Sequence, residues 1–177
     1  MKITITEALA EIKTTLARID KKREAVMRYF SRDGKLRDPL EQDGGSTEFV
    51  RRERQAIKDL EEKIVKIRSA IQTINSLTVL SVGNQTRTVI EWLNWRRDVA
   101  PKAKGFLTLM ANQLNTVRQY AARSGVSLTE SEKGGPTEII ITVNEQQLSK
   151  EIEEMEGTLG TLDGKLSLIN ATTFVDV

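Results

Sequence analysis

The sequence predicts a mainly α-helical chain: an antiparallel coiled-coil hairpin, further long helices in a bundle, and short β segments at about 78–87, 138–143 and the two ends. Three observations predict it. Between Val50 and Ile74, the residues at alternating spacings of three and four are Val50, Glu53, Ile57, Leu60, Ile64, Ile67, Ile71 and Ile74, all apolar except Glu53. That is the period of a helix holding one narrow seam against a partner. Aromatic residues are 5% and apolar residues 38% of the 177, which suits a Leu/Ile/Val core between helices better than a β-sandwich. Charged residues reach 29%, in keeping with long solvated helix faces.

The first helix is expected over residues 4–31. Thr4 and Glu7 stand three apart as a capping box, in which each side chain bonds the other residue's free backbone N–H. Its seam reads Ile5, Leu9, Ile12, Leu16, Ile19, Arg23, Val26 and Phe30, interrupted at Arg23. Residues 32–48 read as a loop, with Asp38 held out of helix by Pro39 and turns supplied by Gly34, Gly44 and Gly45. It is expected to be a contact loop at a hairpin tip. The second helix then runs over 47–77. Setting Phe30 beside Val50 places Ile5 near Ile74 and brings Arg23 within about a turn of Glu53. A partly buried Arg23–Glu53 ion pair fixing the register is the expectation; the alternative is that both side chains snorkel out separately.

Residues 78–87 break the helical pattern with β-branched residues and a Gly83-Asn84 turn, an extended arm or a small hairpin. Thr88 and Glu91 form a second capping box. The helix they open holds Val89, Leu93, Arg96, Ala100, Ala103, Leu107, Met110, Leu114, Val117 and Ala121 in one phase, with a kink or a junction of two helices expected at Ala100-Pro101. Trp92 and Trp95 beside Arg96 and Arg97 fit an interface anchor, a base-stacking platform, or an aromatic cluster capping the hairpin end. A polar loop over 124–137 precedes Glu138-Ile139-Ile140-Ile141-Thr142-Val143, read as a strand buried on both faces or paired in an assembly. Asn144 is the expected N-cap of a last helix with the seam Leu148, Ile152, Met155, Leu159, Leu162, Leu166 and Ile169. Gly157, Gly160 and Gly164 run along a neighbouring face, a path for close approach of another helix or the mark of a bend. The whole is expected to be one helical domain over 1–177, made of a hairpin (4–77), a β arm with a kinked helix (78–124), and a strand with a C-terminal helix (125–177).

The residue types bound the chemistry. The sequence has no Cys and no His, so thiolate sites, disulfides and imidazole general bases are excluded. It also lacks the glycine-rich nucleotide cradles and a Gly-x-Ser-x-Gly elbow. No catalytic residue, cofactor or metal is expected, and the acidic run Glu151, Glu153, Glu154, Glu156 reads as a solvated helix face. Net charge is +2, unevenly spread: residues 1–104 carry 22 Lys/Arg against 15 Asp/Glu, and residues 105–177 carry 5 against 10. A basic front and an acidic back suit head-to-tail packing or an intramolecular fold-back, or are scatter on helix faces. No signal peptide or membrane-length apolar run is visible, so the expected location is cytoplasmic, or a virion for a phage-encoded chain.

Three segments carry a resemblance: Ile71-Gln72-Thr73-Ile74-Asn75; Arg87-Thr88-Val89-Ile90-Glu91-Trp92-Leu93 with Arg96-Arg97-Asp98; and Leu162-Asp163-Gly164-Lys165-Leu166 before Ile169-Asn170. In order and spacing the chain resembles the septicolysin-like family of small helical bacterial proteins, though Trp92 stands where that family tends to have Ala. The resemblance implies a helical fold with a β excursion before the third helix; its label borrows from a pore-forming toxin, and no site residue is carried over. The function expected is that of a non-catalytic helical structural protein that self-associates or joins a larger assembly, such as a phage neck, tail or decoration protein. Its partners would be copies of itself and other assembly proteins, with no small-molecule substrate. The alternatives are a membrane-acting pore former and a nucleic-acid-binding accessory protein.

Overall fold

The computed structural model describes residues 2–130, 135 and 138–176. In chain order the elements are β1 (Lys2–Thr4), α1 (Ile5–Arg28), a 3-10 turn (Glu41–Asp43), α2 (Gly45–Leu77), β2 (Val79–Val82), β3 (Gln85–Thr88), α3 (Val89–Asn94), a π turn (Trp95–Val99), α4 (Ala100–Ser124), β4 (Ser127–Thr129), β5 (Glu138–Ile140), α5 (Glu145–Thr172) and β6 (Phe174–Asp176). The fold is mainly helical, and its short strands pair two by two. It divides into two compact units: the residues up to Leu77 together with those from Ser167 on, and Thr78–Leu166.

In the first unit α1 and α2 form the antiparallel hairpin. The expected capping box is in place: the Thr4 hydroxyl accepts from the Glu7 N–H at 3.2 Å, and the Glu7 carboxylate accepts from the Thr4 N–H at 2.7 Å. Helix α1 stops at Arg28, short of the expected end, where the Tyr29 N–H turns back to the Val26 carbonyl.

The face that α1 turns to α2 lies one position away from the expected seam. Ile5, Ala8, Ile12, Thr15 and Ile19 are buried, and Lys22, Val26 and Tyr29 are half-buried. Ile5, Ile12, Ile19 and Val26 belong to both patterns, but Ala8, Thr15, Lys22 and Tyr29 take the places expected for Leu9, Leu16, Arg23 and Phe30. The cause is volume. Helix α2 fills the interface with Ile64, Ile67 and Ile71, and at close-packed density small side chains fit opposite them. Leu9 and Leu16 stay 46% and 44% exposed. Each isoleucine in the seam contributes about 1.5–3 kcal/mol on burial.

The rotation also overturns the expected Arg23–Glu53 pair. Arg23 leaves the seam, donates to Glu61 at 2.9 Å and lies 3.6 Å from Asp20. Lys22 takes the inner position and holds the largely buried Glu53 carboxylate at 2.7 Å. Glu11 and Lys63 pair on the same flank at 2.6 Å, and Tyr29 meets Phe49 edge-on with ring centroids 5.1 Å apart.

The two ends, expected as short β segments, pair with each other. β1 and β6 run antiparallel with Ile3 opposite Val175, and the Ile5 N–H donates to the Thr173 carbonyl at 2.9 Å. Val175 is buried in the same cluster as Ile5, Ala8, Ile67 and Ile71.

The connection between the helices is organised by Asp38. Its carboxylate accepts from the Leu40 N–H at 2.9 Å, and from the Ser46 N–H at 2.9 Å and hydroxyl at 2.6 Å. Asp38 thus caps the N-terminus of α2 from across the loop, where unpaired N–H groups favour an anion. These hydrogen bonds bring its pKa down to about 2. Gly44 and Gly45 have φ of 93° and 86°, the left-handed values that let the chain enter α2 two residues before the expected start.

In the second unit, β2 and β3 form a two-residue hairpin whose Gly83 has φ 56°. Thr88 and Glu91 form the expected capping box of α3. The helical irregularity expected at Ala100-Pro101 falls just ahead of it, at Trp95–Val99. There the Ala100 N–H reaches back five residues to the Trp95 carbonyl. Pro101 has no N–H, and its ring crowds the carbonyl four residues earlier; a widened turn relieves that crowding.

Helix α5 starts as expected on Asn144, whose side-chain carbonyl accepts from the Gln147 N–H at 2.8 Å. Cross-helix ion pairs step along it in antiparallel order: Arg96–Asp163 at 3.0 Å, Lys104–Glu156 at 2.8 Å, and Arg118–Glu145. Of its expected seam, Leu148, Leu162 and Leu166 are buried.

Of the expected loop 124–137, residues 131–134, 136 and 137 lie outside the described residues. Ser127–Thr129 within it is a strand, paired in parallel with β5. β5 is shorter than expected and is not buried on both faces, since Ile139 is half-buried and Ile140 exposed.

Candidate interaction surfaces

The residues singled out in the sequence have separate fates. Trp92 does not reach the surface of the chain: it is 0% exposed, and its indole N–H donates to the Leu80 carbonyl at 2.8 Å. An amphipathic ring fits there because the buried Leu80 of β2 offers its carbonyl as an acceptor. The Arg87 guanidinium lies 5.0 Å from the Trp92 ring centroid, and Trp95 packs edge-on against it at 5.4 Å. Trp92 therefore anchors the β2–β3 hairpin to the helix that follows, and Trp95 covers it while remaining half-exposed.

Trp95 and Gly157 come together. They line a cleft of about 720 Å3 in the second unit, between the Gly83-Asn84-Gln85 turn and helices α4 and α5. Leu107 and Met155 give it apolar walls, Thr158 and Thr161 add hydroxyls, and Glu151 and Glu154 stand at one end. Gly160 and Gly164 do not line it. All three glycines are exposed, and among the described residues no neighbouring atom lies within 4 Å of where a Cβ would stand, so none of the described helices exploits their small size.

An apolar surface also lies on the hairpin. The seam rotation leaves Leu9, Leu16, Arg23 and Phe30 at seven-residue spacing along one flank of α1, with Met27 beside them. From α2 the same flank receives Val50, Ile57, Glu61 and Val65. Leu9, Leu16, Met27, Phe30 and Val65 are all exposed. Toward the loop end the flank deepens into a groove of about 680 Å3. The seven-residue period of Leu9, Leu16 and Phe30 signals this flank, but whether they face α2 or solvent is decided by the residues of α2. A second apolar hollow, of about 460 Å3, lies between α4 and residues 139–143.

The shifted carboxylates serve structure. Hydrogen bonds from the backbone N–H and hydroxyl of Thr4 hold Glu7 below the usual carboxylate range, and those of Thr88 do the same for Glu91. The Lys63 ammonium lowers Glu11 by hydrogen bond and charge. Among the described residues no group of three or more acidic side chains is placed to hold a metal ion, and no helix is long and apolar enough to cross a membrane. No family model, curated protein or solved structure matches the chain.

Proposed function

We propose that this chain is a non-catalytic helical structural protein that associates with copies of itself within a larger assembly, with a phage neck, tail or decoration protein as the kind of role it suits. The observation that supports this reading is the open flank of the hairpin. Leu9, Leu16, Met27, Phe30 and Val65 leave an apolar stripe in solvent while the opposite flank is closed by ion pairs. Contiguous exposed apolar surface of this kind marks protein contacts. In the second unit, Phe106, Leu109 and Tyr120 of α4 are exposed as well.

Light scattering across a concentration series tests the reading. A mass rising above the 19.9 kDa of one chain is expected. A clean monomer at high concentration defeats it.

A further inference from the structure

Resting on that self-associating reading, we propose that the groove at the loop end of the hairpin seats the acidic stretch Glu151–Glu156 of α5 from a second copy, head to tail. The floor of the groove is Val26, Met27, Phe30, Val50 and Ile57, with Met27 and Phe30 well exposed. Its rim carries Arg23, Arg54 and Lys58 against a single carboxylate, Glu61, which Arg23 already holds at 2.9 Å. Arg54 and Lys58 have no ion-pair partner among the described residues. The unneutralised basic rim fits a helix with acidic edges, which answers the rim with carboxylates and lays the methylene stems of its glutamates against the floor.

Helix α5 has those acidic edges. Glu151, Glu153, Glu154 and Glu156 are exposed around the half-buried Ile152 and Met155. Glu156 is answered by Lys104 and Glu154 by Lys150 at 3.7 Å, whereas Glu151 and Glu153 have no cation partner among the described residues. The wider charge asymmetry has the same sense, +7 over residues 1–104 and −5 over 105–177. Every copy carries both surfaces, so the contact is heterologous and propagates into a ring or a filament.

The test uses the full chain and light scattering between about 0.05 and 1 M NaCl, over which the screening length falls from more than 10 Å to about 3 Å. Association is expected to weaken about tenfold or more as salt rises. The double variants Arg54→Glu/Lys58→Glu and Glu151→Lys/Glu153→Lys should each be monomeric alone and associate again when mixed, because each then offers the charge the other lacks. Circular dichroism checks that both keep their helix. Association that is indifferent to salt and intact in Arg54→Glu/Lys58→Glu overturns this docking and leaves self-association standing. A wild-type monomer at every concentration overturns both.

Discussion

The two flanks of the hairpin are made from the same two helices and differ in kind. On one, Glu11–Lys63 and Lys22–Glu53 bridge α1 to α2 over the seam. On the other, Arg23–Glu61 crosses a surface where Leu9, Leu16, Met27, Phe30 and Val65 stand in water. The difference teaches that α1 has more apolar side chains than one seam uses. Ile5, Ala8, Ile12, Thr15 and Ile19 satisfy α2, and a second stripe one position further round is left over. A helix with two adjacent apolar stripes is built to be covered on both, and in this chain one is covered.

Emptying each side in turn separates the two. Ile67→Ala removes a fully buried side chain from the seam and should cost about 2–5 kcal/mol in urea unfolding, whereas Leu16→Ala on the open flank should cost less than about 1 kcal/mol. Equal losses would mean that Leu16 is buried in solution. Overfilling is the next test. Ala8→Leu should destabilise by about 1–3 kcal/mol because α2 leaves no volume there, while Ala substitution at the neighbouring Leu9 should change little. The ion pairs give smaller effects. A double-mutant cycle on Lys22 and Glu53 should return about 0.5–1 kcal/mol, one on the exposed Arg23 and Glu61 a few tenths, and one on Arg23 and Glu53 zero. A sizeable Arg23–Glu53 coupling would restore the register expected from sequence.

The smallest effect concerns the loop. Asp38 has a folded pKa of about 2, below the roughly 3.9 of an unfolded chain. Its contribution is therefore full above about pH 4 and is lost as pH falls through 2. Acidification from about pH 5 to pH 2 should lower the protection of the Ser46 amide, its exchange rate taken relative to that of an unprotected amide at the same pH, and Asp38→Asn should show the lowered protection already at pH 7. Unchanged protection in both would remove Asp38 as the cap of α2.

Much of the fold could be read in advance where local chemistry decides it. The Thr4–Glu7 and Thr88–Glu91 boxes, the Asn144 cap and the α2 seam involve residues a few positions apart, and all lie where the sequence puts them. Choices that depend on a distant partner were not legible. Whether α1 turns Leu9 or Ala8 inward depends on the isoleucines it meets, and the period alone accommodates both. The Arg23–Glu53 expectation failed with it, because one position of rotation exchanges Lys22 for Arg23. Asp38 caps a helix eight residues away, and β4 pairs in parallel with a strand whose partner no turn signal announces. Of the interface candidates, the Trp92-Trp95 spacing marked an aromatic cluster but not which ring would be enclosed. The acceptor that decides it, the Leu80 carbonyl, is on another element.

The pairing of β1 with β6 has a consequence in time. Val175 belongs to the same packed cluster as Ile71, yet a ribosome delivers it about a hundred residues later. At roughly 5–20 residues per second that is an interval of about 5–20 s. Through it the nascent hairpin has α1 and α2 in hand but lacks the strand that finishes its core. The first unit is begun early and sealed late, so its maturation waits on the delivery of β6 rather than on how fast two helices meet.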